Sequence, residues 1–81
     1  MGTRSRVKVV GYQWQSDGAP LSHETEATAL LNAARAAGVV SQWDADTGWR
    51  CVWVHGWPGA DLRAVRDQLA AWWGPSLPLG R

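Results

Sequence analysis

The spacing of hydrophobic and polar residues changes several times along the chain, and each change predicts a different element. Residues 6–14 are rich in β-branched and aromatic side chains with partial alternation, which predicts a first strand. From Ser22 onward, apolar residues recur at helical spacing. Glu24 and Glu26 lie in the first turn of this predicted helix, where the positive end of the helix dipole stabilises negative charge. Ser22 is the expected N-cap of this first helix, and Gly38 is its expected C-terminal stop.

The second half of the chain has the pattern of a hairpin followed by another helix. Residues 39–43 and 49–55 are apolar and β-prone, and the segment 44–48 between them is rich in turn formers. Residues 57–61 are expected to open the second helix, with Asp61 capping it or complementing its dipole. An apolar stripe then follows at helical spacing, formed by Leu62, Val65, Leu69, Trp72 and Trp73.

The end of the second helix sets the expected domain boundary. Gly74 and Pro75 terminate the periodic pattern, so residues 1–75 are predicted to form a single compact α/β domain. Residues 76–81 are predicted to be a C-terminal tail, in which Leu77 and Leu79 could dock on the body.

These elements predict an α+β fold, a two-layer α/β sandwich in the order strand, helix, strand, strand, helix. A right-handed crossover and a tight hairpin favour a three-stranded mixed sheet with the third strand in the middle. Both helices would then cover one face, as in half of a ferredoxin-like fold without its last strand. The strand order one-two-three remains open at this point.

Alternation along the strands predicts which residues the uncovered face carries. Val52 and Val54 point to one side of the third strand, and Cys51 and His55 point to the other. With the valines beneath the helices, the expected partner-binding aromatic face consists of Tyr12, Trp14, Trp49 and Trp53. Its expected basic rim consists of Arg4, Arg6, Lys8 and Arg50.

An inverted arrangement is the alternative. In that case Trp49 and Trp53 lie beneath the helices, and Val52 and Val54 form a homodimer contact. Trp72 and Trp73 are expected to belong to the core of the second helix and to anchor the tail, and Trp57 is expected to staple the entrance of that helix.

Composition adds one unusual feature, which is seven tryptophans and no phenylalanine in 81 residues. A chain of this size buries roughly 60% of its unfolded surface, so some of the seven indoles should remain available to a partner. The hydrophobic content of 46% and the charged content of 19% are those of a globular protein. The arginine, alanine and tryptophan bias is typical of a GC-rich genome, such as that of an actinobacterium or one of its phages, and part of the tryptophan count then reflects that bias.

The formal net charge of +1 gives little long-range attraction for phosphate. Protein–protein association is therefore the favoured function, either as a homodimer or by capture of a host or partner protein, in a small regulator. The alternative is single-stranded nucleic-acid binding, with bases stacked on Tyr12, Trp14 and Trp53 and phosphates held by the basic rim.

Catalytic and metal chemistry are not expected. Cys51 and His55 lie four residues apart on one strand, about 13 Å, which is too far for a nucleophile and its base. Asp44 and Asp46 are expected to form the turn rather than a cation site, and two histidines with one cysteine make no zinc site. The sequence thus predicts no enzyme, metal or cofactor. The lone cysteine and the lack of a long apolar run predict a cytoplasmic protein with no membrane partner.

Overall fold

A computed structural model describes residues 10–46 and 48–79, which form two helices and a four-stranded sheet. This confirms the α+β class. The elements in chain order are β1 (Val10–Gln15), α1 (Glu24–Ala36), β2 (Val40–Ala45), β3 (Cys51–Gly56), α2 (Arg63–Trp73) and β4 (Leu77–Pro78).

The strand order is β2-β3-β1-β4, and every neighbouring pair is antiparallel. The third strand therefore lies between the first two, as favoured above, and the order one-two-three is excluded. The prediction of a three-stranded mixed sheet is wrong in two respects, because all the pairings are antiparallel and because Leu77 and Pro78 pair with Gln13 and Tyr12 as a fourth strand. An edge strand tolerates proline, which has no N–H to donate. The strand that the sequence analysis expected to be missing is therefore present.

Helix α1 begins one residue later than predicted. Its N-cap is His23, in the left-handed conformation at φ 59°, and no side chain caps the helix. The hydroxyl of Ser22 instead contacts His23 Nδ1 at 2.9 Å. At the other end, Gly38 has φ 82°, and the N–H of Val39 donates to the carbonyl of Ala34. A left-handed glycine with this hydrogen bond is a common way for a helix to end, so the prediction that α1 ends at Gly38 is confirmed.

Helix α2 also begins later than residues 57–61 suggested, at Arg63. Asp61 nevertheless acts as predicted, because its Oδ1 accepts the backbone N–H of Arg63 at 3.0 Å. The guanidinium of Arg63 donates to the same carboxylate. The hydrogen bonds from Arg63 lower the pKa of Asp61 from 3.8 to about 2, and the side chain of Arg63 contributes more to this shift than its backbone does.

Both helices pack on one face of the sheet, and the hydrophobic core lies between the two layers. Leu31 of α1 and Leu69 of α2 are fully buried, together with Val52 and Val54 of β3. The two valines therefore face the helices. The inverted arrangement, in which they form a homodimer contact, is wrong.

Candidate functional site: the open face of the sheet

The strand register divides the predicted aromatic face between the two sides of the sheet. Trp14 lies opposite Val52 and Tyr12 lies opposite Val54, so both aromatic residues share the helix-covered face with the valines. Trp14 is 1% exposed. The prediction that Tyr12 and Trp14 line the open face is therefore wrong. The phase of β1 is set by burial of the large indole, which removes more apolar surface from water than Gly11, Gln13 and Gln15 of the opposite phase could.

Trp49 does not lie on the open face either. It is in the turn between β2 and β3, at φ 57°, where few residues other than glycine and asparagine are found. Its ring is half-buried and packs against Trp43 and Trp73, with centroids 5.8 and 6.4 Å away. Trp49 therefore belongs to the core side of the molecule.

The aromatic residues of the covered side form a continuous chain of edge-to-face and tilted rings. Trp14 is 6.1 Å from Tyr12 and 5.8 Å from Trp73, which in turn meets Trp49 and, beyond it, Trp43. Three of the four indole N–H groups in this series of rings donate hydrogen bonds within the protein. Trp14 donates to the carbonyl of Gly74 at 3.1 Å, Trp43 donates to Asn32, and Trp73 donates to the carbonyl of Ser22. Most of the tryptophan content is therefore structural.

Trp53 is the one predicted aromatic residue that the structure places on the open face. It is half-buried in the middle of β3, directly opposite Gln13 of β1 on one side and Asp44 of β2 on the other. His55 follows it on the same face, between Gly11 and Gln42. The centre of the open face is thus a single indole bordered by amides, one carboxylate and one imidazole.

The periphery of the open face adds an apolar and a sulfur-containing residue. Leu77 of β4 lies opposite Gln13 and is 54% exposed. Cys51 lies opposite Gln15 and is buried, and its Sγ accepts a hydrogen bond from the Gln13 side chain at 3.4 Å. Cys51 is therefore a packed part of this face, in contact with a neutral amide.

The predicted basic rim is placed only at Arg50. Arg4, Arg6 and Lys8 lie outside the described residues. Arg50 is exposed in the β2–β3 turn, where its backbone N–H donates to Asp46 Oδ1 at 2.9 Å. Asp46 also accepts the N–H of Cys51, which gives it the predicted turn-forming role. Within residues 10–46 and 48–79, no group of three or more His, Cys, Asp or Glu side chains is arranged to hold a metal ion.

The sequence reasoning missed Gln13 and Leu77 as members of the open face. Gln13 could have been found from the phase of β1, because it alternates with Tyr12 and Trp14. Leu77 had no comparable signal, because the two-residue strand that carries it is too short to show a period. Its position is decided by pairing with β1.

No family model, no curated protein and no solved structure matches this chain. In the part of the chain that the structure describes, neither helix has the length and apolar character needed to cross a bilayer. Function must therefore be inferred from the geometry of the surfaces themselves.

Proposed function

We propose that this protein acts by protein–protein association through the open face of the sheet, without catalysis, and that the surface seated on this face is a second copy of the chain. The observation that carries the proposal is the position of Trp53. It is at the centre of the face opposite the helices, and it is half-buried rather than covered. A tryptophan with a polar surround is the usual composition of the energetic centre of an interface.

The polar residues around Trp53 favour self-association. Gln13, Gln15 and Gln42 carry amides that both donate and accept hydrogen bonds, so the same surface can pair with itself. In a two-fold interface each residue pair occurs twice, which also lets Asp44 of one copy face His55 of the other. A face of this composition is complementary to its own copy.

The size of the face predicts a weak dimer. Three strands of six residues and one of two, at about 4.8 Å spacing and about 3.3 Å rise per residue, give a face of roughly 300 Å² in projection. Stable interfaces bury about 800 Å² on each partner, and smaller ones belong to transient complexes. We therefore expect a dissociation constant in the micromolar range, in keeping with a small regulatory protein whose association responds to concentration.

The alternative of nucleic-acid binding has less support. Base stacking was expected on Tyr12, Trp14 and Trp53 together, but the first two lie on the opposite side of the sheet. The nearest charged neighbour of Trp53 across the strands is Asp44, which repels phosphate. A single indole beside a carboxylate is a poor platform for consecutive bases.

The experiment is sedimentation velocity on the wild-type protein from about 1 µM to about 1 mM, which brackets the expected affinity. The wild type should shift from monomer to dimer across this range, and Trp53→Ala should remain a monomer throughout. The matched control is Trp57→Ala, which removes a 54% exposed indole from the β3–α2 loop and should dimerise like the wild type. A wild type that stays monomeric would contradict the proposal.

A titration with a mixed-sequence single-stranded oligonucleotide separates the two functions. Quenching of tryptophan fluorescence that weakens steeply with salt and is lost in Trp53→Ala would establish nucleic-acid binding instead. Unchanged emission together with a concentration-dependent dimer would support self-association.

A further inference from the structure

A second surface lies at one end of the molecule, away from the open face. It is an open groove of about 520 Å³ between the β1–α1 loop, residues 16–22, and the last turn of α2. Trp72 and Trp73 form one wall, and the loop with Asp17, Ser16 and Ser22 forms the other. Among the residues that the structure describes, the lining combines two indoles, two hydroxyls and one carboxylate, and it includes no lysine or arginine.

The backbone of α2 adds negative potential to this groove. Trp72 and Trp73 are the last two residues of the helix, so the groove lies at the end where unsatisfied carbonyl groups concentrate. The last turn of α2 carries no basic residue to offset that pole. The carboxylate of Asp17 and the carbonyl end of α2 are therefore complementary to a cation.

The aromatic wall fits a flat cation. Trp72 is half-buried, and its ring stacks on His23 at 5.1 Å with an angle of 9° between the planes. Trp72 lines the groove, and His23 does not. His23 has a left-handed backbone, φ 59°, and the stack of its ring on Trp72 restricts the orientation of that indole without a ligand.

We propose that this groove binds the guanidinium group of an arginine side chain in a partner peptide. The guanidinium stacks on the indole of Trp72, and Asp17 accepts hydrogen bonds from it. An indole face attracts a cation through its quadrupole, and arginine adds planar stacking and a bidentate fit to a carboxylate, which lysine lacks. This site is separate from the dimer surface proposed above, and a monomeric variant retains it.

The probe is an acetylated and amidated pentapeptide, Gly-Gly-Arg-Gly-Gly, with a citrulline peptide as its neutral isostere. Binding is followed on uniformly ¹⁵N-labelled protein through the indole N–H signals, which report each tryptophan separately. We expect the arginine peptide to shift the Trp72 signal with a dissociation constant in the millimolar range, and the citrulline peptide to bind about tenfold more weakly. The signal of Trp53 should stay in place.

Two variants with matched controls test the assigned contacts. Asp17→Asn should weaken the arginine peptide about threefold or more and leave the citrulline peptide unchanged, whereas Asp67→Asn, on the exposed side of α2, should change neither. Trp72→Leu should abolish the preference for arginine, whereas Trp57→Leu should keep it. Retention of the Trp14 indole signal shows that each variant is folded.

Several results would overturn the assignment. These are equal affinity for the two peptides, shifts at Trp53 with Trp72 unmoved, and no shift at peptide concentrations of about 20 mM, well above the expected dissociation constant. Repeating the titration on Trp53→Ala separates this proposal from the dimer proposal. Arginine binding by that monomer supports the groove whatever the state of the open face, and loss of binding in that variant alone contradicts an independent site.

Discussion

The two faces of the sheet place tryptophan in opposite environments. On the covered face Trp14 is 1% exposed, contacts Tyr12 and Trp73, and donates its N–H to the carbonyl of Gly74. On the open face Trp53 has Gln13 and Asp44 as its cross-strand neighbours. On the covered face the indole N–H has a hydrogen-bond partner within the protein, whereas on the open face the indole is surrounded by polar groups that can also be solvated.

This difference shows that tryptophan count alone is a poor guide to a binding surface in a small domain. Trp14, Trp43, Trp49 and Trp73 pack into one chain of rings on the core side. A chain without phenylalanine has to build its core from other large side chains, and the indoles serve that purpose here. What distinguishes a binding candidate is position relative to the helices.

The largest expected effect is on the covered face. Trp14→Ala removes a fully buried indole and leaves the Gly74 carbonyl without its donor, and it should lower the free energy of unfolding by about 3–5 kcal/mol. Urea denaturation followed by circular dichroism measures this loss. Trp57→Ala is the control and should change stability by less than about 0.5 kcal/mol, because that residue is exposed. Equal losses in the two variants would remove the contrast between core and surface indoles.

A second test concerns how closely β1 and β3 approach. A Cβ at Gly11 would collide with the backbone carbonyl of Val54, whereas a Cβ at Gly56 would meet the side chain of Leu62 at 2.7 Å. A side chain can rotate away more easily than the backbone of a paired strand. We therefore expect Gly11→Ala to cost about 3 kcal/mol and Gly56→Ala about 1–2 kcal/mol, measured by the same denaturation. The reverse order would mean that α2 constrains the sheet more tightly than β1 does.

The open face should respond differently from the covered face. Trp53→Ala should reduce the free energy of unfolding by only about 1 kcal/mol at protein concentrations where the chain is monomeric, because its ring is half-buried. The same substitution is expected to abolish dimerisation. A loss of stability as large as that of Trp14→Ala would mean that the two faces are equally structural, and would count against an exposed interface.

The smallest effect is expected at the start of α2. The ionised carboxylate of Asp61 is stabilised by Arg63, which lowers its pKa to about 2 from 3.8. Its charge therefore contributes to stability above about pH 4, and the contribution disappears as the pH falls through about 2. Asp61→Asn keeps an acceptor for the backbone N–H but loses the charge, so its Tm should be slightly lower than that of the wild type at pH 6. The two Tm values should converge near pH 2, and a difference that grows on acidification would contradict this account.

Much of the local structure could be predicted from the sequence, because it depends on short-range chemistry. Gly38 ends α1 because the chain there adopts a positive φ, and Asp61 caps α2 because its carboxylate reaches a free N–H. The alternation along β3 correctly placed Val52 and Val54 beneath the helices, with Trp53 on the other side.

The composition of the open face was decided only by tertiary structure. The phase of β1 relative to β3 depends on which side chains best fill the space beneath the two helices, and a shift of one residue moves Trp14 from one face to the other. The fourth strand forms because Leu77 and Pro78 meet the free edge of β1, which no local pattern indicates. The sequence by itself determined the helices, their C-terminal ends and the hairpin, since these depend on neighbours along the chain. Pairing between distant strands decided which tryptophan remains on the surface, since burial is settled by the whole core at once.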